Sequence, residues 1–443
     1  MRNLPQFLIA APSSGAGKTT VSRGLMALLV RKGMKVQPYK CGPDYIDTKF
    51  HEAVCHRSSY NLDTFMASFA HVQEVYTQHA QDADVCIVEG MMGLFDGFDC
   101  DRGSCSEVAR VLGLPVILVV NAQSAAFSTA ALISGFLHFR YDVKIAGVIF
   151  NNVGSKKHKD MLWDVCEHLH VPCFGYIPKR QELMQSSRYL GLDFSEMNGD
   201  EYLSNLIEEH VDWQGLLQAT KCELPVVLEH KNEDDKPMEP MNILVASNEE
   251  SFSFIYAEHM DILHKMGKVS FFNPEEDQEI PANIDLLYLP GGYPEKHAAA
   301  LTKAKKTRES IRRYIASGGK TLAECGGMIY LSQGIVADEN QFYEMAGVLP
   351  FKISMRKQDR KLSLGYRDFD WREQRYRGHE FHYTQFLPEE PVPTTSLRVF
   401  DAKSRPVDSP LFISKNLIAS YTHLYWGETG FLELFKPDPN YSK

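Results

Sequence analysis

Phe7-Leu8-Ile9-Ala10-Ala11-Pro12-Ser13-Ser14-Gly15-Ala16-Gly17-Lys18-Thr19-Thr20 is the stretch whose reading decides the fold. Five apolar residues predict a short buried strand. A glycine-bearing turn follows, and Val21, Leu25, Leu28 and Leu29 then recur at helical spacing. Strand, glycine turn, Lys-Thr and helix together make the context of a phosphate-binding loop. Gly15 and Gly17 let backbone amides converge on phosphate oxygens, and the helix N-terminus adds partial positive charge. Lys18 neutralises the outer phosphates, and the Thr19 hydroxyl can bind Mg²⁺. Gly15, Gly17, Lys18, Thr19 and Thr20 are therefore candidate ATP-binding residues. Pro12 stands where the usual motif begins with glycine.

A chain of 443 residues predicts two or three domains. With 44% hydrophobic and 23% charged residues its composition is that of a globular protein. A net charge of −10 argues against general binding to nucleic acid or anionic membranes. No run reaches the length of a membrane span, and the N-terminus does not read as a signal peptide. The nine cysteines show neither metal-ligand spacing nor a disulfide framework, which suits a reducing cytoplasm.

Past the loop, residues 35–39 predict a second strand running into Lys40-Cys41-Gly42-Pro43-Asp44-Tyr45-Ile46-Asp47. Gly-Pro makes this a loop at a strand's C-terminal end, where open α/β sheets place ligands. Lys40 can reach phosphate; Asp44 and Asp47 can bind metal, orient a substrate, or simply close a turn. Asn61-Leu62-Asp63 is expected near the same edge. Residues 85–89 predict an apolar strand ending in Glu89, followed by the glycine-rich run Gly90 to Gly97. A carboxylate at a strand tip beside a phosphate loop suits a second Mg²⁺ contact. Further strands are expected at 116–120, 146–150 and 172–178, with a helix at 125–139 and an apolar helical stripe at 161–169. Asn151, at a strand end, can read an adenine edge or sit in a turn. Continuous apolar strands alternating with helices predict a doubly wound, mostly parallel sheet.

Residues 229–241 are charged, proline-containing and aperiodic, so they are expected to link a domain at 1–228 to a second at 242–443. The second domain is expected to be α/β too, with strands at 243–246 and 286–289 and a helix at 308–317. Glu324-Cys325-Gly326-Gly327 places a cysteine between a strand and a helix, hugged by glycines. That resembles a nucleophile elbow, with the helix N-terminus expected to lower the thiol's pKa. A nucleophilic thiolate wants a histidine. His379 and His382, or His423 at the end of a strand over 417–421, are the candidates on spacing alone.

These residues together resemble the cobyrinate a,c-diamide synthases, which join an ATP-binding domain like that of dethiobiotin synthetase to a class I glutamine amidotransferase domain. The resemblance is carried by the variant phosphate loop, residues 42–47, Asn61 to Asp63, Glu89 to Gly97, Pro290 to Glu295, Glu324 to Gly327, Gly378 to Tyr383 and Ser420 to His423. It implies that Cys325 attacks the glutamine amide, that His423 is its acid and base, and that amides at Gly292 and Gly326 hold the oxyanion. It implies that a substrate carboxylate takes the ATP γ-phosphate and that ammonia displaces it. Thr19, Glu89 and Asp44 would hold Mg²⁺, Lys18 and Lys40 would balance charge, Asp44 and Asp47 would position the substrate, and Asn151 would contact adenine. The implied partners are cobyrinic acid or a related tetrapyrrole, glutamine and ATP, with a second copy of the chain as a further candidate.

Two departures from the pattern stand out. Class I amidotransferases carry a third triad carboxylate two residues beyond the histidine, where this chain has Tyr425. Asn121 stands where relatives often have Asp. Hydrogenobyrinic acid and nickel-sirohydrochlorin are alternative substrates for the same chemistry. A regulatory ATPase with an inactive amidotransferase-like domain is the alternative of another class, disfavoured by the presence of both Cys325 and His423. A non-enzymatic corrinoid carrier would have no use for two such sites.

Overall fold

A computed structural model describes residues 2–180, 199–226, 239–391, 395 and 397–437. The chain divides into two compact units, residues 1–230 and 231–443. The linker expected at 229–241 lies for the most part outside the described residues.

In the first unit, strands β1 (Asn3–Ala10), β2 (Val36–Cys41), β3 (Tyr60–Leu62), β4 (Val85–Glu89), β5 (Val116–Asn121), β6 (Ile145–Val153) and β7 (Cys173–Pro178) form one parallel sheet in the order β3-β2-β4-β1-β5-β6-β7. A short strand β8 (Lys221–Glu223) adds antiparallel to the start of β1. β1, β4 and β5 are almost wholly buried and read as continuous apolar runs, as strands covered on both faces must. The strand order changes direction at β1, and in open α/β sheets the C-terminal edge at such a switch point is where ligands bind. Register brings the sequence-predicted residues to that edge: Ile9 faces Glu89, Lys40 faces Glu89, and Asn121 faces Asn151.

The phosphate loop joins β1 to helix α1 (Lys18–Arg31). Gly15 and Gly17 have φ of 74° and 105°, which explains glycine at both positions. At Gly17 a side chain is also excluded by contact, since a Cβ would lie 2.0 Å from Asn151 Nδ2. Some boundaries differ from the sequence reading. The helix expected from residue 125 begins at Thr129, because residues 122–128 are spent on turns. β2 runs to Cys41, which makes Lys40 a strand residue rather than a loop residue.

The second unit holds a six-stranded sheet. β9 (Met241–Ala246), β10 (Gly267–Phe272), β11 (Leu286–Leu289), β12 (Lys320–Glu324) and the strand Leu417–Ser420 run parallel, in the order β10-β9-β11-β12-Leu417–Ser420, and Leu411–Ile413 closes the edge antiparallel. A second, antiparallel sheet is built on the long hairpin Ser363–Trp371 and Gln374–His382, with His423–Tyr425 along one side. One apolar cluster joins the two sheets, with Val245, Tyr288, Leu322 and Ile418 from the first, Phe369, Tyr376 and Leu424 from the second, and Trp426 just beyond it. The strand expected at 417–421 is present and ends at Ser420, but His423, expected at its end, opens the next strand, in the other sheet.

Ile9 is fully buried between β4 and β5. Ile9→Ala is expected to cost about 2–5 kcal/mol, read as a lower urea midpoint for the first unit with the second unit's transition unmoved. A loss below about 1 kcal/mol would place Ile9 outside the core.

Candidate active sites

The centre of the first site is the Glu89 carboxylate, which is completely buried. Its Oε1 accepts from the Thr19 hydroxyl at 2.7 Å and from Lys40 Nζ at 3.0 Å. Its Oε2 accepts from the Ser22 hydroxyl at 2.6 Å and meets His51 Nε2 at 2.9 Å. Burial alone would raise this carboxyl's pKa, but the Lys40 ammonium, His51 and Ser22 outweigh it and hold it well below the usual range. Lys40 also pairs with Asp47, and these two carboxylates overcome burial to keep the ammonium charged. Burial lifts Asp47 to about 6 even beside Lys40.

Lys18 reaches back across the loop, donating to the Ser13 carbonyl at 3.4 Å and to the Met92 carbonyl. Burial lowers the Lys18 pKa. Asn151 donates to the Ala16 carbonyl at 2.9 Å, and its Oδ1 accepts from the Asn152 amide. It thus braces the loop from β6. Asp44 Oδ1 caps the turn into helix α2 (Asp47–Cys55) by accepting from the amides of Ile46 and Asp47, both at 2.8 Å. Asn61 donates to the carbonyls of Gly42 and Asp44. Asp63 accepts from the amides of Phe65 and Met66 and so shapes the next turn.

Ser22 and His51 are absent from the sequence-predicted set. Ser22 lies four residues after Lys18, on the same face of α1, and His51 lies four residues after Asp47 on α2. That spacing was readable, but a single His on a short helix carries no chemistry until the fold brings Glu89 to it.

Among the described residues, no group of three or more His, Cys, Asp or Glu could by itself hold a metal ion. A cation here would need the nucleotide's phosphates and water to complete its shell. Hard oxygen donors at Thr19 and Glu89 fit Mg²⁺ on those terms.

The second site is built on backbone geometry. Cys325 sits between β12 and the helix Gly326–Leu331 with φ 45° and ψ −101°, a strained elbow for a non-glycine residue. Its amide donates to the Ser420 carbonyl at 2.7 Å, and its Sγ lies 3.9 Å from the Phe381 carbonyl. Gly292 and Gly326 touch through their backbones: a Cβ on Gly326 would lie 2.9 Å from the Gly292 nitrogen. His423 packs its ring on Gly291, where a Cβ would lie 2.0 Å from His423 Cε1.

The expected low thiol pKa is not found. Burial, then the charges of Glu295 and Glu380, push the Cys325 thiol upward, and a helix of six residues does not offset them. His423 is pushed the other way, down to about 3, by burial and by the neighbouring His379 and His382. The resting pair is thiol and neutral imidazole. His382 is committed elsewhere: its ring nitrogens meet Glu380 at 2.8 Å and the Thr384 carbonyl at 2.7 Å, and its ring stacks on Tyr421 at 3.6 Å. His379 faces His423 across the strand pair. Tyr425 turns its hydroxyl to Glu258.

Comparison with known proteins now bears on these two sites. Residues 7–190 match the CobQ/CobB/MinD/ParA nucleotide binding domain, and residues 243–431 match the CobB/CobQ-like glutamine amidotransferase domain. The cobyrinate a,c-diamide synthase of Priestia megaterium is 35% identical over 96% of this chain and 94% of its own. That of Caldanaerobacter subterraneus is 36% identical over 94% of each. The hydrogenobyrinate a,c-diamide synthase of Brucella anthropi is 36% identical over 86% of this chain and 90% of its own. The chain belongs to the cobyrinate a,c-diamide synthase family.

The MinD cell-division ATPase of Pyrococcus furiosus aligns with 46% of this chain and 98% of its own at 18% identity and a TM-score of 0.32, too loose a likeness to add to the topology. Like other members of the diamide synthase family, the chain is a glutamine-hydrolysing, ATP-using ligase, and the reading as a regulatory ATPase is not favoured. No helix among the described residues is long and apolar enough to cross a membrane.

The depressed His423 pKa has a consequence for stability. Unfolded, this histidine binds its proton near pH 6.5; folded, only near 3. The unfolded state therefore holds more protons between those values, and stability falls as pH drops from about 6.5 toward 3. His259, also depressed by burial, adds to the same slope. His423→Asn is expected to flatten this acid limb in part, measured as the urea midpoint of the second unit against pH. An unchanged slope would contradict the neutral, buried imidazole.

Proposed function

We propose that this chain amidates the a and c side-chain carboxylates of cobyrinic acid, using ATP and glutamine, in cobalamin biosynthesis. The presence in one chain of a phosphate loop organised on Glu89 and a strained elbow at Cys325 supports the reading, because the chemistry needs both an activated carboxylate and a source of ammonia. The names of the relatives supply the substrate class. Hydrogenobyrinic acid and nickel-sirohydrochlorin remain alternative substrates for the same residues.

In the amidotransferase unit, the Cys325 thiol gives its proton to neutral His423 as sulfur attacks the glutamine carboxamide carbon. His423 is the base for that step. The amides of Gly292 and Gly326 hold the oxyanion; losing one such donor costs about a hundred- to a thousandfold in rate. His423 then protonates the departing nitrogen. Ammonia leaves, and water hydrolyses the thioester to glutamate.

In the synthetase unit, a substrate carboxylate oxygen attacks the γ-phosphorus and ADP departs, leaving an acyl phosphate. Ammonia attacks the acyl carbon, and inorganic phosphate leaves with the former carboxylate oxygen. Lys18 and Lys40 balance charge as the phosphoryl group moves. Mg²⁺, held by Thr19 and Glu89 together with the phosphates, would supply charge neutralisation. Both carboxylates would have to give up present bonds to reach the ion, Glu89 from its four donors and Asp44 from the two amides on one of its oxygens; with Asp47, Asp44 shapes the loop that meets the substrate. Asn151 braces the loop, its amide nitrogen on the Ala16 carbonyl and its oxygen on the Asn152 amide, so an adenine contact would have to displace one of these bonds.

Mass spectrometry of parallel incubations with cobyrinic acid, hydrogenobyrinic acid and nickel-sirohydrochlorin is expected to show two carboxylate-to-carboxamide conversions on cobyrinic acid. Cys325→Ala should lose them with glutamine and keep them with high ammonium. Conversion of none of the three macrocycles would overturn the reading.

A further inference from the structure

Glu324 is a buried acid that the thiol chemistry above leaves unused. It ends β12, directly before Cys325, and is 2% exposed. Its Oε2 accepts from the Tyr288 hydroxyl at 2.7 Å, and its Oε1 accepts from the Leu424 amide at 3.0 Å. Tyr288 lies on β11, next to β12 in the six-stranded sheet. Leu424 lies in the other sheet, one residue after His423.

Cys325 thus directly follows a strand of one sheet while His423 opens a strand of the other, and the Glu324 carboxylate bridges the two sheets one residue away from each. The covalent path between the sheets is short and independent of it: Tyr421 and Thr422 connect Ser420, whose carbonyl holds the Cys325 amide, to His423. A carboxylate placed here is costly, and burial lifts it to about 7. Its two oxygens each take a donor, one from each sheet, so removing it would leave the Leu424 amide and the Tyr288 hydroxyl short of a buried acceptor.

We propose that Glu324 is a positioning residue that fixes the His423 imidazole against the Cys325 thiol by tying the two sheets together. This rests on the glutaminase reading of the site. Gln in its place keeps an acceptor for the Leu424 amide and a partner for the Tyr288 hydroxyl, which can turn to accept, so geometry survives without charge. Ala removes both bonds.

The test compares Glu324→Ala, Glu324→Gln and wild type in the full-length protein with MgATP and cobyrinic acid. Glu324→Ala is expected to lower kcat for glutamine by about a hundredfold with KM nearly unchanged, as misplacement of a catalytic group does. Its ammonium-dependent amidation should match wild type. Alkylation of Cys325 by iodoacetamide should slow in parallel, because the thiol loses its base. Glu324→Gln should restore kcat and alkylation to within about tenfold of wild type. A Glu324→Ala kcat within about threefold of wild type, or a Glu324→Gln as impaired as Glu324→Ala, would overturn the positioning role. Failure of the underlying reading would look different: Cys325→Ser would go on hydrolysing glutamine.

Discussion

A single buried carboxylate constrains the first unit. Glu89 has no exposure to solvent, and its four donors come from three segments: Thr19 and Ser22 from α1, Lys40 from β2 and His51 from α2. An ionised acid in such a place is tolerable only when every lone pair is met and opposite charge is close. The requirement fixes the start of α1, the end of β2 and the face of α2 against the tip of β4. The phosphate loop, closed on its far side by Asn151, has little freedom left. Glu89 is therefore as much the keystone of the loop's shape as a group for the nucleotide.

The amidotransferase unit solves a different problem. A thiol buried among carboxylates does not ionise by itself at neutral pH, and a histidine buried among histidines does not protonate by itself. Each resting state is uncharged, and charge separates only when the substrate arrives to receive it. That suits a site that releases ammonia on demand. The strained backbone at Cys325 and the close glycines at 291, 292, 326 and 327 concentrate the geometric cost at the residues proposed to do the chemistry.

Much of this was legible in the sequence, because the signals were local. Strand-turn-helix around Lys18 and around Cys325, and the apolar strand ending in Glu89, are patterns of neighbours. The parallel sheet followed from alternating strands and helices. What stayed hidden depends on contacts between distant segments. Ser22 and His51 gain their meaning only when Glu89 is folded onto them. Glu324 was visible only as the residue before the cysteine, since its partners at 288 and 424 belong to other strands. The helix dipole at Gly326 was a sound local expectation, overridden by burial and by Glu295 and Glu380. The hairpin whose far strand carries His379 and His382, and which pairs with the strand of His423, was likewise not legible, because its pairing joins segments distant in sequence.

On the proposed route the γ-phosphate, at the Glu89-centred loop, passes to a side-chain carboxylate and not to water. Cobyrinic acid labelled with ¹⁸O in its carboxylates, incubated with MgATP and glutamine, tests it by mass spectrometry of the released phosphate. The account predicts one labelled oxygen in phosphate for each carboxamide formed. Unlabelled phosphate accompanying amide formation would contradict it.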